Sequence, residues 1–192
     1  IQMNPSKFPE ARVLHGMAYD GASDRVALFG GAGILTDLGD TWAYDFNSDT
    51  WTQMTPSMAP SPRHGQGMAY DALSDRVVLF GGIAGSDETW VYDFDNDTWS
   101  QTERGTGPAG RRTPNLAYDT ESERLILFGG VQPLTIDQFY GDTWSFRFTP
   151  SPPAEPFPSW LPLAIGAAVV VAAAVAWLLG RGAGCRGSRL IP

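Results

Sequence analysis

Three acidic side chains stand at alternate positions in the heptapeptide DFDNDTW, residues 93–99. Alternating carboxylates of this kind begin many calcium-binding loops. An EF-hand loop also needs Gly at its sixth position and a bidentate Glu at its twelfth, where this chain has Thr98 and Arg104. Asp and Asn are also typical of tight turns, because they bond to their own backbone and tolerate left-handed geometry. The spacing favours a turn, and we predict no metal site.

Few other side chains could do chemistry. The chain has two histidines, His15 and His64, and one cysteine, Cys185. The histidines fall at different positions of the repeats described below, so they are expected on strand or loop surfaces and not as a metal-binding pair. A single cysteine can form neither an intrachain disulfide nor a cysteine metal cluster. We predict no catalytic residue and no cofactor within this sequence.

The balance of charge argues against a nucleic-acid partner. The chain has 21 acidic and 13 basic residues, for a net charge of −8. Binding a polyphosphate would require clustered Lys and Arg. Three of the arginines lie in the last twelve residues, which contain no acid.

Residues 160–180, WLPLAIGAAVVVAAAVAWLLG, contain no charged side chain. At about 1.5 Å per residue, a helix of this length spans roughly 30 Å, the hydrocarbon thickness of a bilayer. Trp160 and Trp177 lie near its two ends, where indole rings favour the membrane interface. A buried core helix is the alternative, but the segment is long for one and has no polar face. We predict one transmembrane helix that contacts membrane lipid.

The flanks of this segment predict its orientation. Residues 150–159 are rich in proline, which favours a semi-rigid extended stalk. Residues 181–192 form a short basic tail, and positive charge stays on the cytoplasmic side. The N-terminal part is therefore expected outside the cell membrane. Cys185 in the tail is either a site of S-acylation or an unmodified thiol.

Residues 1–149 contain three copies of one pattern. Each copy begins with a segment such as MAYD, continues with an apolar run that ends in Gly-Gly, and then has an acid-Thr-Trp segment. The three apolar runs are DRVALFGG, DRVVLFGG and ERLILFGG. Turn residues such as GASD separate the first two segments. The paired glycines allow positive φ and a close approach of neighbouring backbone. Four short strands in about 50 residues, repeated, predict β-propeller blades.

These residues resemble kelch repeats. The apolar run with Gly-Gly, the pairs Tyr44–Trp51 and Tyr92–Trp99, and an Arg opening each copy (Arg12, Arg63 and Arg111) carry the likeness over residues 1–148. The resemblance implies an all-β fold of about three four-stranded kelch-like blades in an incomplete ring, followed by the transmembrane helix. The third copy departs from the pattern at Phe146 and Arg147 and has no closing Trp, so we expect it to lack its fourth strand.

The sequence begins within a repeat. Gln2-Met3 and Pro5-Ser6 match Gln53-Met54 and Pro56-Ser57, so Ile1 aligns with Thr52, directly after a closing Trp. Three blades are too few for a ring, since about four to eight are typical. We therefore expect an N-terminally truncated part of a longer propeller. The alternative is that several chains assemble their blades into one ring.

The family resemblance also bears on two kinds of chemistry. Kelch-type copper oxidases require a Tyr–Cys crosslink in the propeller, and Cys185 lies beyond the predicted membrane segment, so that activity is excluded for this chain. The abundant aromatic residues could suggest carbohydrate binding. Most of them recur once in each copy, which favours packing between blades instead.

Variable loops are the better candidates for binding, because binding residues usually lie on loops over a rigid scaffold. The segments after Gly-Gly vary in length and are expected to share a face with the segments leading into the next blade. We predict Arg111, Arg112, Gln138 and Tyr140 as ligand-binding residues. The expected function is non-catalytic binding of an unknown protein or glycan at the cell surface. The alternatives are an extracellular enzyme with catalytic residues upstream of Ile1, and a structural envelope protein.

Overall fold

The computed structural model describes residues 1–83, 87–103, 107–132 and 138–148, which belong to one compact unit, Ile1–Ser151. The predicted stalk, transmembrane helix and basic tail at 150–192 lie outside the described residues. Within the part that is described, no helix is long and apolar enough to cross a membrane.

The first two copies each form a four-stranded antiparallel sheet, as the repeat pattern predicts. In the first sheet the strands lie in chain order: β1 (Gly16–Asp20), β2 (Arg25–Ala32), β3 (Asp37–Asp45) and β4 (Thr50–Gln53). The second sheet has the same order: β5 (Gln66–Asp71), β6 (Arg76–Gly81), β7 (Thr89–Asp93) and β8 (Thr98–Gln101). Each sheet is a meander of hairpins, which is the architecture of a propeller blade.

The third sheet consists of three strands among the described residues. These are β9 (Asn115–Asp119), β10 (Arg124–Phe128) and β11 (Thr143–Phe146), with β10 in the middle. The strand that pairs with β3 in the first sheet is β4, and the strand that pairs with β7 in the second is β8. In the described part of the third sheet, β11 pairs only with β10.

The hairpin turns explain most of the repeated carboxylates. Asp93 accepts a hydrogen bond from the Asn96 backbone N–H at 3.2 Å, and Asp97 adopts a left-handed conformation with φ of 47°. The Tyr92 hydroxyl donates to Asp97 at 2.7 Å. Burial and this hydrogen bond raise the pKa of Tyr92. The same Tyr-to-Asp bond, five residues along the chain, closes three other turns: Tyr19–Asp24, Tyr44–Asp49 and Tyr70–Asp75.

The Gly-Gly pairs hold the chain where two blades meet. Gly31 has φ of 105°, and a Cβ there would lie 2.8 Å from the His15 Cβ. Its backbone N–H donates to the Arg63 carbonyl at 2.8 Å, and Gly82 donates to the Arg111 carbonyl at 3.1 Å. The predicted positive φ and close backbone approach are therefore confirmed. The close neighbours of Gly31 lie in its own copy, and its N–H bond reaches the next copy.

Tryptophan and its apolar neighbours form the core between the first two sheets. Trp99 in β8 is 2% exposed and packs edge-on against Phe29 in β2, with ring centroids 5.1 Å apart. Its indole N–H donates to the Thr41 hydroxyl at 3.0 Å. A second cluster joins the second and third sheets through Ala69, Val78 and Leu125. Large aromatic rings dominate such interfaces because they bury the most apolar area.

The segment before β1 makes the same contact with the first sheet that the segment between β4 and β5 makes with the second sheet. The Asn4 N–H donates to Asp49 at 3.1 Å, and the Thr55 N–H donates to Asp97 at 2.9 Å. Asn4 and Thr55 are equivalent in the repeat alignment, as are the two turn aspartates. This shared contact agrees with the predicted alignment, in which Ile1 corresponds to Thr52.

Candidate ligand-binding loops

A buried arginine lies at the Gly-Gly end of each sheet. Each guanidinium forms an ion pair with the acid two residues before a tryptophan, at 2.6, 2.6 and 2.5 Å: Arg12–Asp40, Arg63–Glu88 and Arg111–Asp142. Each also donates to the carbonyl of the first glycine of its Gly-Gly pair, at 3.0, 3.2 and 3.0 Å: Gly30, Gly81 and Gly129. We call this arrangement the arginine clamp.

The tryptophan of the acid-Thr-Trp segment completes each clamp. Its indole N–H donates to the same carboxylate, at 2.6, 3.0 and 2.6 Å for Trp42, Trp90 and Trp144. The hydrogen bonds from Arg111 and Trp144 hold the pKa of Asp142 well below its usual range. Burial alone would raise the pKa of Asp40, but the bonds from Arg12 and Trp42 outweigh it and lower the pKa. Asp40 and Asp142 therefore remain charged opposite their arginines.

The structure places the candidate residue Arg111 inside the third clamp. Its side chain is fully buried, and the Tyr140 ring covers it with the centroid 4.1 Å from Cζ. This is the geometry of a cation–π contact. Arg111 thus has a structural role. Its predicted role in ligand binding stays a prediction, and because Arg111 is buried, any such effect would be indirect, through the position of Tyr140.

The other three candidates lie on two segments that are joined by backbone hydrogen bonds. Arg112 and Val131 exchange two bonds of 2.9 Å each. The Gln132 N–H donates to the Gln138 carbonyl at 3.0 Å. Tyr140 returns to the blade by donating to the Gly130 carbonyl at 2.9 Å. Gln138 is exposed, while Arg112 and Tyr140 are half-buried. The structure therefore brings the candidates together at one end of the third sheet.

Exposed apolar residues on these loops were missed in the sequence. Phe139 is 75% exposed between two of the candidates, and Ile34 and Leu35 in the corresponding loop of the first sheet are 85% and 92% exposed. Isolated exposed apolar residues are common, but these lie in connections of variable length. A search for large apolar residues within the variable loops, as distinct from the repeated strands, would have found them.

The acidic turns lie at the opposite end of the sheets. Asp93 forms an ion pair with Arg76 at 2.8 Å, Asp97 bonds to Tyr92, and Asp95 is exposed. Among the residues that the structure describes, no group of three or more His, Cys, Asp or Glu could hold a metal ion. Two of the three carboxylates that suggested calcium, Asp93 and Asp97, thus take part in the turn and in an ion pair.

The two histidines have different environments, as their positions in the repeats predicted. His64 bonds to Asp37 at 2.7 Å and joins the second copy to the first. His15 lies near Gly31, and burial together with the charge of Arg12 lowers its pKa. Its Nδ1 is buried and has no hydrogen-bond partner among the described residues. Nothing in this geometry brings the two imidazoles into one site.

Successive antiparallel meanders, joined through a Gly-Gly contact and an aromatic core, define this as a repeat protein of β-propeller blades. A family model described as the KLHDC2/KLHL20/DRC7 Kelch-repeats domain matches residues 2–151. The chain belongs to the kelch-repeat family. A comparison with curated proteins found no match.

Proposed function

We propose that this chain is a membrane-anchored, extracellular binding module that acts without catalysis on a protein or glycan ligand. The ligand contacts the Gly-Gly end of the blades through Arg112, Gln138 and the exposed Phe139. Residues 160–180 anchor the module in the membrane, and the basic tail lies in the cytoplasm.

The observation that carries this proposal is the loop around Phe139. The backbone on either side of Phe139 is held by hydrogen bonds between Gln132 and Gln138 and between Tyr140 and Gly130, while the side chains of Gln138 and Phe139 are exposed. A fixed backbone reduces the entropy lost on binding. An exposed aromatic ring beside an amide and a guanidinium supplies both apolar contact and hydrogen bonding. This combination suits recognition of a protein surface or of a sugar ring.

Binding is tested with the labelled full chain on a glycan array and on a displayed library of random peptides. The double variant Arg112→Ala/Gln138→Ala should weaken the selected interactions at least tenfold, about 1.4 kcal/mol or more. The matched control is Glu121→Ala, which changes an exposed residue at the opposite end of the same sheet. Ligands that bind the double variant as tightly as the unmodified chain would contradict the assignment to these loops.

Membrane orientation is tested through the single cysteine. In intact cells a membrane-impermeant maleimide should leave Cys185 unlabelled, and it should react once the membrane is permeabilised. The control is Ser57→Cys, an exposed position among the blades that should be labelled in intact cells. Labelling of Cys185 in intact cells, or extraction of the chain by carbonate, would refute the anchored arrangement.

A further inference from the structure

The heptapeptide DFDNDTW contains one further pattern, Asn96-Asp97-Thr98. Asparagine followed two residues later by Ser or Thr, with any residue except proline between them, is the acceptor pattern for N-linked oligosaccharides on surface loops of exported proteins. Of the four asparagines in the sequence, Asn96 alone satisfies it, because Asn4 is followed by Pro5 and the other two lack the hydroxyl residue. The position of Asn96 in the fold therefore decides whether the pattern can be used.

Asn96 lies in the exposed turn between β7 and β8. Its backbone N–H and its side-chain amide both donate to the Asp93 carboxylate, at 3.2 and 2.8 Å. The side-chain Nδ2 has two hydrogens and uses one of them in this bond. Attachment of a sugar replaces one hydrogen and leaves the other for Asp93. The folded turn can therefore carry a sugar chain in solvent and keep its bond to Asp93.

The geometry of the turn does not require asparagine at this position. In the first copy the equivalent residue is Ser48, whose backbone N–H donates to Asp45 at 3.3 Å. Asp49 and Asp97 have φ of 49° and 47° in the two turns. Each also donates its N–H to the carbonyl of the phenylalanine three residues earlier, at 3.4 Å. The repeat therefore explains the carboxylates of DFDNDTW, but it leaves Asn96 without a structural requirement.

The turn is also far from the proposed ligand-binding loops. Those loops lie at the Gly-Gly end of the blades, and the acidic turns lie at the opposite end. The strand β7 joins the two ends with five residues, from Thr89 to Asp93. At about 3.3 Å per residue it separates them by roughly 16 Å. A sugar chain on Asn96 would leave the loops open to a ligand.

We propose that Asn96 is the attachment site of an N-linked oligosaccharide. This inference rests on the extracellular location of the blades proposed above, because the pattern is used on exported chains. The donor is an oligosaccharide linked through phosphate to a polyprenyl lipid. Nδ2 of Asn96 forms a bond to C1 of the first sugar, the bond from C1 to the phosphate oxygen breaks, and the phosphate takes its electron pair. The amide loses one proton, and Thr98 supplies the hydroxyl that completes the pattern.

Tryptic peptide mapping by mass spectrometry measures the modification on the full chain, isolated from the cells of the maleimide experiment. Cleavage after Arg76 and Arg104 gives one peptide, residues 77–104, in which Asn96 is the single asparagine. We expect a peptide mass that exceeds the sequence mass by one sugar chain. Asn96→Ser copies the residue of the first turn, so it should remove the addition while the chain still folds.

Changes at Thr98 test the whole pattern and not only the asparagine. Thr98→Ser should keep the sugar chain and Thr98→Ala should lose it, although both leave Asn96 in place. Ser48→Asn is the matched control, because it creates Asn-Asp-Thr in the equivalent turn of the first copy. This variant should gain a second sugar chain.

An unmodified peptide 77–104 would overturn the proposal, as would a sugar chain that persists in Thr98→Ala. The control variants then show whether the extracellular location is also wrong. If the cysteine of Ser57→Cys reacts in intact cells, or if Ser48→Asn gains a sugar chain, the blades lie outside and only the Asn96 site is wrong. If neither occurs, the extracellular location is wrong together with the site.

Discussion

Replacing the buried Arg63 by methionine should destabilise the blades strongly. The guanidinium donates to the Ser61 carbonyl, the Ser61 hydroxyl, the Gly81 carbonyl and the Glu88 carboxylate, at 3.0, 2.9, 3.2 and 2.6 Å. Removing one partner of a fully buried pair costs about 3–5 kcal/mol. The Glu88 side chain is 23% exposed and keeps its bond from Trp90, so water offsets part of the loss. Methionine retains the apolar contact of the side-chain stem. We expect a loss of about 3 kcal/mol in the free energy of unfolding.

Urea unfolding of the full chain, followed by tryptophan fluorescence, measures this loss. With a slope of about 2 kcal/mol per molar urea, the midpoint should fall by about 1.5 M. The matched control is Arg76→Met, because Arg76 is 34% exposed and pairs with Asp93 near the surface. Such pairs contribute about 0–1 kcal/mol, so its midpoint should fall by less than about 0.5 M. If Arg63→Met costs no more than the control, the clamp does not stabilise the blade. A double variant with Glu88→Gln should cost less than the sum of the single changes.

Three further changes test other contacts. Thr41→Val should lower the free energy of unfolding by about 1–3 kcal/mol, because it leaves the buried indole N–H of Trp99 without an acceptor; an unchanged urea midpoint would show that this bond adds nothing. Gly31→Ala should destabilise by more than about 1 kcal/mol through its positive φ and its close neighbours, whereas Gly107→Ala, with open space around it, should be nearly neutral; equal midpoints would contradict the proposed constraint. The depressed pKa of Asp142 means that its stabilising effect is complete above its unfolded value of about 4 and is lost as pH falls through the folded pKa. The midpoint of Asp142→Asn should therefore be below that of the unmodified chain at pH 7 and approach it between about pH 4 and pH 2; a constant difference would refute this linkage.

Much of the blade could be predicted from local sequence, because its turns and close contacts require particular residue types. Asp97 adopts positive φ and accepts a bond from Tyr92, and both features follow from the chemistry of Asp in tight turns. Gly31 lies against His15, where a side chain would collide. Comparison of the copies also helped, because DFDNDTW recurs as DFNSDTW in the preceding copy. A recurring segment without the further ligands of a calcium loop is better explained as a turn of the repeat.

The clamp could not be predicted from local sequence, since it joins residues that are distant along the chain. Arg63 and Glu88 are 25 residues apart, and nothing in the residues beside Arg63 shows that its side chain is buried. The pair could have been predicted only by comparing the copies, because an arginine and an acid of opposite charge recur at equivalent positions in each of them. The same difficulty affected Arg111, which is a loop residue by sequence and a buried residue in the structure.

The clamp connects the stability of the blade to the variety of its loops. In the third sheet, Arg111 bonds to Gly129 at the start of the variable connection and to Asp142 at its end. One buried guanidinium therefore fixes both ends of this loop, and the other two clamps do the same at Gly30 and Asp40 and at Gly81 and Glu88. Residues between the fixed ends can change in number without moving the strands. The buried ion pair thus allows the loop residues, including the exposed Phe139, to differ from one blade to the next while the strands keep their places.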